Sequence, residues 1–213
     1  MKERTMQIFN GLFKEYPALV KSKNDIEKAF CVIMNTYNSD GKILVCGNGG
    51  SAADSEHIVG ELMKGFKLKR ALTGEEKSAF SSFECGDYIA SNIQGALPAI
   101  SLVSHTALMT AFNNDAQSDL VFAQQVYGYI CENDTLIALS TSGNSKNVYY
   151  AAVTAKAKNG KVISITGHDG GKLSAVSDVT VILPSDDTAK IQEFTLPVYH
   201  ALCAMAESEL FDM

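Results

Sequence analysis

The chain has 213 residues, 46% of them apolar, and a formal net charge of −6. That length and apolar content suit one domain with a substantial core and exclude a disordered chain. The acidic balance excludes a surface built to lie along a nucleic-acid backbone or an anionic membrane, so an anionic ligand has to be caught locally.

In chain order, "MKERTMQIFNGLFKEYP" mixes charge with apolar residues and lacks the unbroken apolar segment of a signal peptide. Residues 3–15 and 25–37 carry helical spacing, separated by Pro17 and with Asn24 as a candidate cap. After the turn "NSDG", strand-like runs follow at 42–46, 99–103, 135–139, 161–165 and 178–183, mostly with helical patterning between them. That alternation predicts a parallel α/β sheet with helices on both faces. Residues 67–95 break the rhythm and read as an excursion, partly helical. "KIQEFTLPVYHALCAMAESELF" reads as an apolar final helix that kinks at Pro197 or begins near it. No run reaches membrane-spanning length. Five cysteines without a CxxC pair point to reduced thiols in the cytoplasm, with Cys31, Cys46 and Cys203 expected in the core.

Two loops carry the chemistry. "GNGGS", Gly47 to Ser51, lies between a strand and a helix, where glycine lets backbone N–H groups approach a ligand and the helix start favours an anion. Gly47, Gly49 and Ala52 also satisfy the G-x-G-x-x-A dinucleotide pattern. The acidic residue expected about 20 positions on, at the end of a second strand, is replaced by the lysine-rich "KGFKLKR". "STSGNS", Ser140 to Ser145, repeats the strand-to-helix setting and offers four hydroxyls, more than helix capping needs, as donors for one phosphate. It matches neither a phosphate-binding Walker loop nor a nucleophile elbow.

On the helix that leaves the first loop, His57 and Glu61 stand four residues apart on one face, able to share a metal ion or pass a proton. Gln192, Glu193 and His200 interrupt the apolar final helix. His105 reads as structural and His168 as solvated. The basic stretch with Lys64, Lys67, Lys69 and Arg70 reads as a solvated surface or as an aid to drawing in an anionic substrate.

Three stretches, "VCGNGGSAADSEHIVGEL", "ISLVSHTALMTAFNNDAQSDLVFAQQV" running into "IALSTSGNSKNV", and "AKIQEFTLPVYHALCAMAESELF", together resemble the sugar isomerase (SIS) domain, and within it the phosphoheptose isomerases. The resemblance covers residues 1–66 and 97–213. It implies a single SIS domain: a three-layer, flavodoxin-like α/β fold with a five-stranded parallel sheet. Residues 1–40 would be an N-terminal helical extension used in oligomerisation, 67–96 an insertion, and the assembly a homotetramer with active sites between subunits. It also implies a phosphorylated sugar as substrate and aldose–ketose isomerisation through an enediol. By position, Ser140, Thr141, Ser142 and Ser145 match the phosphate cradle. Asn48, Gly49, Gly50 and Ser51 match the loop lining the sugar, and Asp115 the acid that contacts substrate hydroxyls. Glu61 matches the base and His200 its acid/base partner. His57, Glu61, Gln192 and His200 match residues that bind zinc in some members.

On a straight helix Gln192 and His200 lie roughly 12 Å apart along the axis and about 80° apart in direction. Either Pro197 bends the segment, or Gln192 precedes the helix, or two subunits supply the two groups. The chain departs from the family at Leu72 to Gly95, longer than the usual connection, and at Thr195, where many members have histidine. A rival reading is a non-catalytic SIS module of the kind that binds a replication initiator or senses a phosphosugar. Those relatives tend to lose the equivalents of Glu61 and His200, and both are present here.

Overall fold

The structure, a computed structural model, describes residues 1–211. Helices α1 (Glu3–Glu15) and α2 (Lys23–Asn38) open the chain, joined by a 3₁₀ turn at Pro17–Ser22. Pro17 starts that turn, where a missing N–H has no helical partner to lose. The turn feeds directly into α2, so Ser22 holds the cap position and Asn24 lies inside the helix rather than capping it. α2 buries Ile26, Ala29, Phe30 and Ile33 as one stripe. Cys31, expected in the core, is exposed, because it follows Phe30 and so points about 100° away from that stripe. Cys46 and Cys203 are buried as expected, and burial pushes both thiols up to about 12.

The remaining elements are β1 (Ile43–Cys46), α3 (Gly50–Met63), α4 (Gly74–Ser78), α5 (Gly86–Asn92), β2 (Ala99–Ser101), α6 (Thr106–Asp115), α7 (Val121–Tyr129), β3 (Thr135–Leu139), α8 (Lys146–Ala157), β4 (Lys161–Thr166), α9 (Gly171–Ser174), β5 (Val179–Ile182) and α10 (Thr188–Leu210). The five strands form one parallel sheet in the order β2-β1-β3-β4-β5, with Ile43 opposite both Ala99 and Thr135. Successive strand residues point to opposite faces. Ile43, Val45, Ile137, Leu139, Ile163 and Ile165 pack under α2, α3 and α10. Leu44, Cys46, Leu136, Ala138 and Val162 pack with α7 and α8 on the other face. Strand progression reverses between β1 and β3, and in open α/β sheets the crevice at the carboxyl ends of such strands is the ligand position. The two loops picked from the sequence leave these two strands.

The excursion is partly helical, as expected. Its neck is closed by an antiparallel bridge between Ala71 and Gln94 and by the Gly95 N–H donating to the Arg70 carbonyl at 2.7 Å. α4 carries a reciprocal Thr73–Glu76 capping box but buries nothing, and Phe83 and Tyr88 stay exposed. α10 neither begins at nor stops for Pro197: it starts under Asp187, whose carboxylate accepts from the Lys190 N–H at 2.9 Å, and runs on with the proline inside. Gln192 therefore lies within the helix, not ahead of it. Among the described residues no helix is long and apolar enough to cross a membrane.

Candidate active site

The first loop turns at two positions that need glycine. Gly49 has φ +57, and a Cβ on Gly47 would meet the Ser51 carbonyl oxygen at 2.6 Å. The start of α3 receives no side-chain cap; the N–H groups of Ser51, Ala52 and Ala53 turn back onto the Asn48 and Gly49 carbonyls at 3.1, 3.0 and 3.3 Å, which winds the loop into the helix. In the second loop Gly143 has φ +67 and passes so close to Gly170 that any side chain would collide with the Gly170 carbonyl. Ser145 stands at the cap of α8 yet makes no capping bond; its hydroxyl accepts instead from Ser140 at 3.0 Å. Thr141 and Ser142 are partly exposed beside it. Ser142 Oγ accepts from the Asn144 N–H at 3.2 Å and Ser140 is buried, while the Ser145 hydroxyl is spared from capping; the four cluster at the start of α8, an arrangement suited to a phosphate.

The two loops touch. Asn48 and Asn147 exchange a reciprocal pair of amide hydrogen bonds, both at 2.9 Å, which makes one continuous rim from the glycine loop to the hydroxyl loop. Asn147 escaped the sequence reading, although it sits only two residues beyond Ser145 in "STSGNSKN".

α3 and α10 lie side by side on the same sheet face. At one end the Gln192 amide lies against Gly50. Further along both helices His57, Glu61 and His200 converge: His57 Nε2 is 3.1 Å from Glu61 Oε1 and 3.4 Å from His200 Nε2. Glu61 is 9% exposed, and its second oxygen accepts from Lys64 at 3.1 Å. Burial and the neighbouring His57 hold the His200 imidazole below its usual value, which keeps it neutral and able to ligate or accept a proton. Within this chain Gln192 reaches the glycine loop rather than this cluster, because His57 lies seven positions, about two turns, beyond Gly50 on α3. Thr195 is buried and its hydroxyl donates to the Ile191 carbonyl, so it faces the core. Asp115, at the end of α6, is exposed and accepts from the Asn114 amide at 2.8 Å; no described hydrogen bond ties it to either loop. His105 is structural as expected, its Nδ1 2.6 Å from Gln125, whose amide is spent on the Leu102 and Val121 carbonyls. His168 pairs with exposed Asp186.

The donor atoms of His57, Glu61 and His200 all lie within 4.8 Å of one another. Ligands of a tetrahedral zinc at roughly 2.0–2.1 Å stand about 3.3–3.4 Å apart. The observed 3.1 and 3.4 Å separations fit that spacing, and two imidazoles with a carboxylate are a suitable donor set. Behind His57, Tyr199 Oη is 2.9 Å from Nδ1 and 3.2 Å from Asp54 Oδ1. Neither Asp54 nor Tyr199 was singled out from sequence, though one precedes His57 by three residues and the other directly precedes His200.

A sheet of this order with the two loops joined at its carboxyl edge corresponds to the SIS class of domains, and models described as SIS domain match residues 99–205 and 16–83. The phosphoheptose isomerase of Citrifermentans bemidjiense is 37% identical over 186 residues, 87% of this chain and 84% of that one. That of Helicobacter pylori strain 26695 is 39% identical over 194 residues, 89% and 88% of the two chains. Solved phosphoheptose isomerases superpose over almost the whole chain. The Francisella tularensis structure gives a TM-score of 0.75 at 29% identity over 95% of this chain and 98% of that one. The Neisseria gonorrhoeae structure gives 0.68 at 32% identity over 93% and 98%. The chain belongs to the phosphoheptose isomerase family of SIS-domain proteins.

Proposed function

We propose that this chain interconverts sedoheptulose 7-phosphate and D-glycero-D-manno-heptose 7-phosphate by proton transfer through an enediol. The observation that carries the reading is the joined glycine and hydroxyl loops, with the buried Glu61 carboxylate paired to the exposed His57 imidazole on the helix that leaves the first of them. Ser140, Thr141, Ser142 and Ser145 hold the phosphate with the backbone at the start of α8. Asn48, Gly49, Gly50 and Ser51, Gln192 and Asp115 line the sugar. Glu61 takes the proton from one carbon, and His200, held neutral, carries a proton to or from the adjacent oxygen. The reaction needs this pairing because moving a carbonyl by one carbon shifts one C–H proton and one O–H proton in the same turnover.

His57, Glu61 and His200 would hold a zinc ion, which when bound polarises the substrate oxygen and offsets negative charge there. Ligation and base duty compete for the same carboxylate of Glu61. The working form is a homotetramer with sites between subunits. In support, His200 also lines an open groove of about 520 Å³ between α1 and α10, a surface on which a neighbouring copy would meet the cluster and bring Gln192 or Asp115 of its own. Its place of work is the cytoplasm, in keeping with five free cysteines.

The test is NMR of sedoheptulose 7-phosphate in D2O, with zinc added or stripped, for the parent and Glu61→Gln. The parent should isomerise the sugar and exchange the C–H proton, and the variant should lose about 10²–10⁴ in kcat. Activity confined to a pentose or hexose phosphate would overturn the substrate while keeping the reaction. Silence on all of them would point to a binding module.

A further inference from the structure

Asp54, Tyr199 and His57 form a chain of hydrogen bonds that ends at the cluster. Tyr199 is 1% exposed, its hydroxyl lies between Asp54 Oδ1 at 3.2 Å and His57 Nδ1 at 2.9 Å, and its ring packs edge-on against both His57 and His200. The phenol has one proton to give, and an ionised carboxylate can only accept. The Tyr199 proton therefore goes to Asp54, and Tyr199 Oη must accept from His57. That places the neutral imidazole's proton on Nδ1 and leaves Nε2 bare.

The consequence falls on the other side of the ring. With its lone pair outward, Nε2 of His57 faces the Glu61 carboxylate oxygen at 3.1 Å and His200 Nε2 at 3.4 Å, with no proton of its own to share. Opposite tautomerism would let His57 donate to Glu61 and close the cluster as an ordinary His–Glu pair. We infer that Asp54 and Tyr199 are positioning residues that fix the tautomer and ring plane of His57, and so turn a hydrogen-bonded pair into a divalent-cation site. This rests on the metal part of the proposed function and not on the identity of the sugar.

The experiment uses metal-free, full-length protein with ¹⁵N-labelled histidine, at a pH where the imidazoles are neutral. Long-range ¹H–¹⁵N spectra report the tautomer of each of the four histidines. Zinc affinity is measured separately by competition with a chromophoric chelator. The parent should show His57 as the Nδ1–H tautomer. Tyr199→Phe, which keeps the buried ring, should move His57 toward Nε2–H and weaken zinc binding by about 10–100-fold. Asp54→Ala, at a half-buried site that leaves the core filled, should do the same, whereas Asp54→Asn, which retains an acceptor oxygen, should stay closer to the parent. An Nε2–H tautomer in the parent would overturn the proposal. So would variants that change neither tautomer nor affinity. A parent with the Nδ1–H tautomer but zinc binding weaker than millimolar would overturn the cation role, while turnover of the sugar, measured independently, would leave the isomerase reading standing.

Discussion

Gly143 is held at φ +67 with its α-carbon packed on the Gly170 backbone, where an added methyl would stand 2.0 Å from the carbonyl oxygen. Both contacts oppose an alanine: left-handed backbone disfavours a side chain, and neither neighbour is a flexible side chain that can swing away. Gly143→Ala is expected to cost about 2 kcal/mol or more and to open the hydroxyl loop. A fall in melting temperature together with weaker binding of inorganic phosphate would bear this out. Unchanged phosphate binding would show that the loop does not hold the anion. Gly128 in α7 is the control: it is exposed, nothing lies within 4 Å of its added Cβ, and alanine there should leave phosphate binding alone while raising stability by up to about 1 kcal/mol.

Three elements meet at one buried ion pair. Glu207 of α10 accepts from the N–H groups of Phe66, Lys67 and Leu68 at 2.8, 2.7 and 3.1 Å and from the Arg70 guanidinium at 2.7 Å. Arg70 in turn donates to the Leu62 and Glu61 carbonyls at 2.6 and 3.0 Å, so the last turn of α3 is capped by a side chain from the neck of the excursion. Breaking one partner of such a pair costs about 3–5 kcal/mol because the other is left charged and unpaired. Glu207→Gln should therefore lower the unfolding free energy by about that amount, read as a fall in the urea midpoint at unchanged slope. It should also reduce kcat more than it changes KM, since the loosened end of α3 carries Glu61; a kcat equal to the parent's at low temperature would show that α3 is held by packing alone. This hub was illegible in the sequence. Arg70 read as one of four solvated charges, and nothing local distinguishes it from Lys69, because its partner is 137 residues away. By contrast, the strands showed as apolar runs and the loops as glycine and hydroxyl clusters, since both signals are written in adjacent residues. The Asn48–Asn147 bridge and the Tyr199–His57 contact depend on which elements lie side by side, and that is decided by the sheet order rather than by any one segment. Cys31 and the cap at Asn24 failed for a smaller reason, a shift of one or two positions along α2.

At the scale of the whole molecule, the groove between α1 and α10 is where the proposed neighbouring copy would sit. It is lined by Ile8, Gly11, Leu12, Tyr16, Leu196 and Ala204, and Val20 and Leu196 lie among the large apolar side chains left exposed in one subunit. Gly11 is the position to use. It lies mid-helix with nothing within 4 Å of an added Cβ, so a long side chain there meets solvent in the isolated chain and would meet an opposing surface in the proposed tetramer. Arginine is also a better helix former than glycine, so Gly11→Arg should keep or raise the helical signal. An arginine buried between copies costs several kcal/mol to desolvate at each contact, which the single Glu15 one turn away on the same groove does not offset. Light scattering after gel filtration should give the parent about four times the 22.9 kDa chain mass and the variant a smaller species. Because His200 opens into the same groove, the dissociated form should also lose turnover while retaining the fold. A variant that remains tetrameric and fully active would place the interface elsewhere. A variant that dissociates yet stays active would mean that one subunit holds a complete site, and Gln192 would then act where it lies, against Gly50.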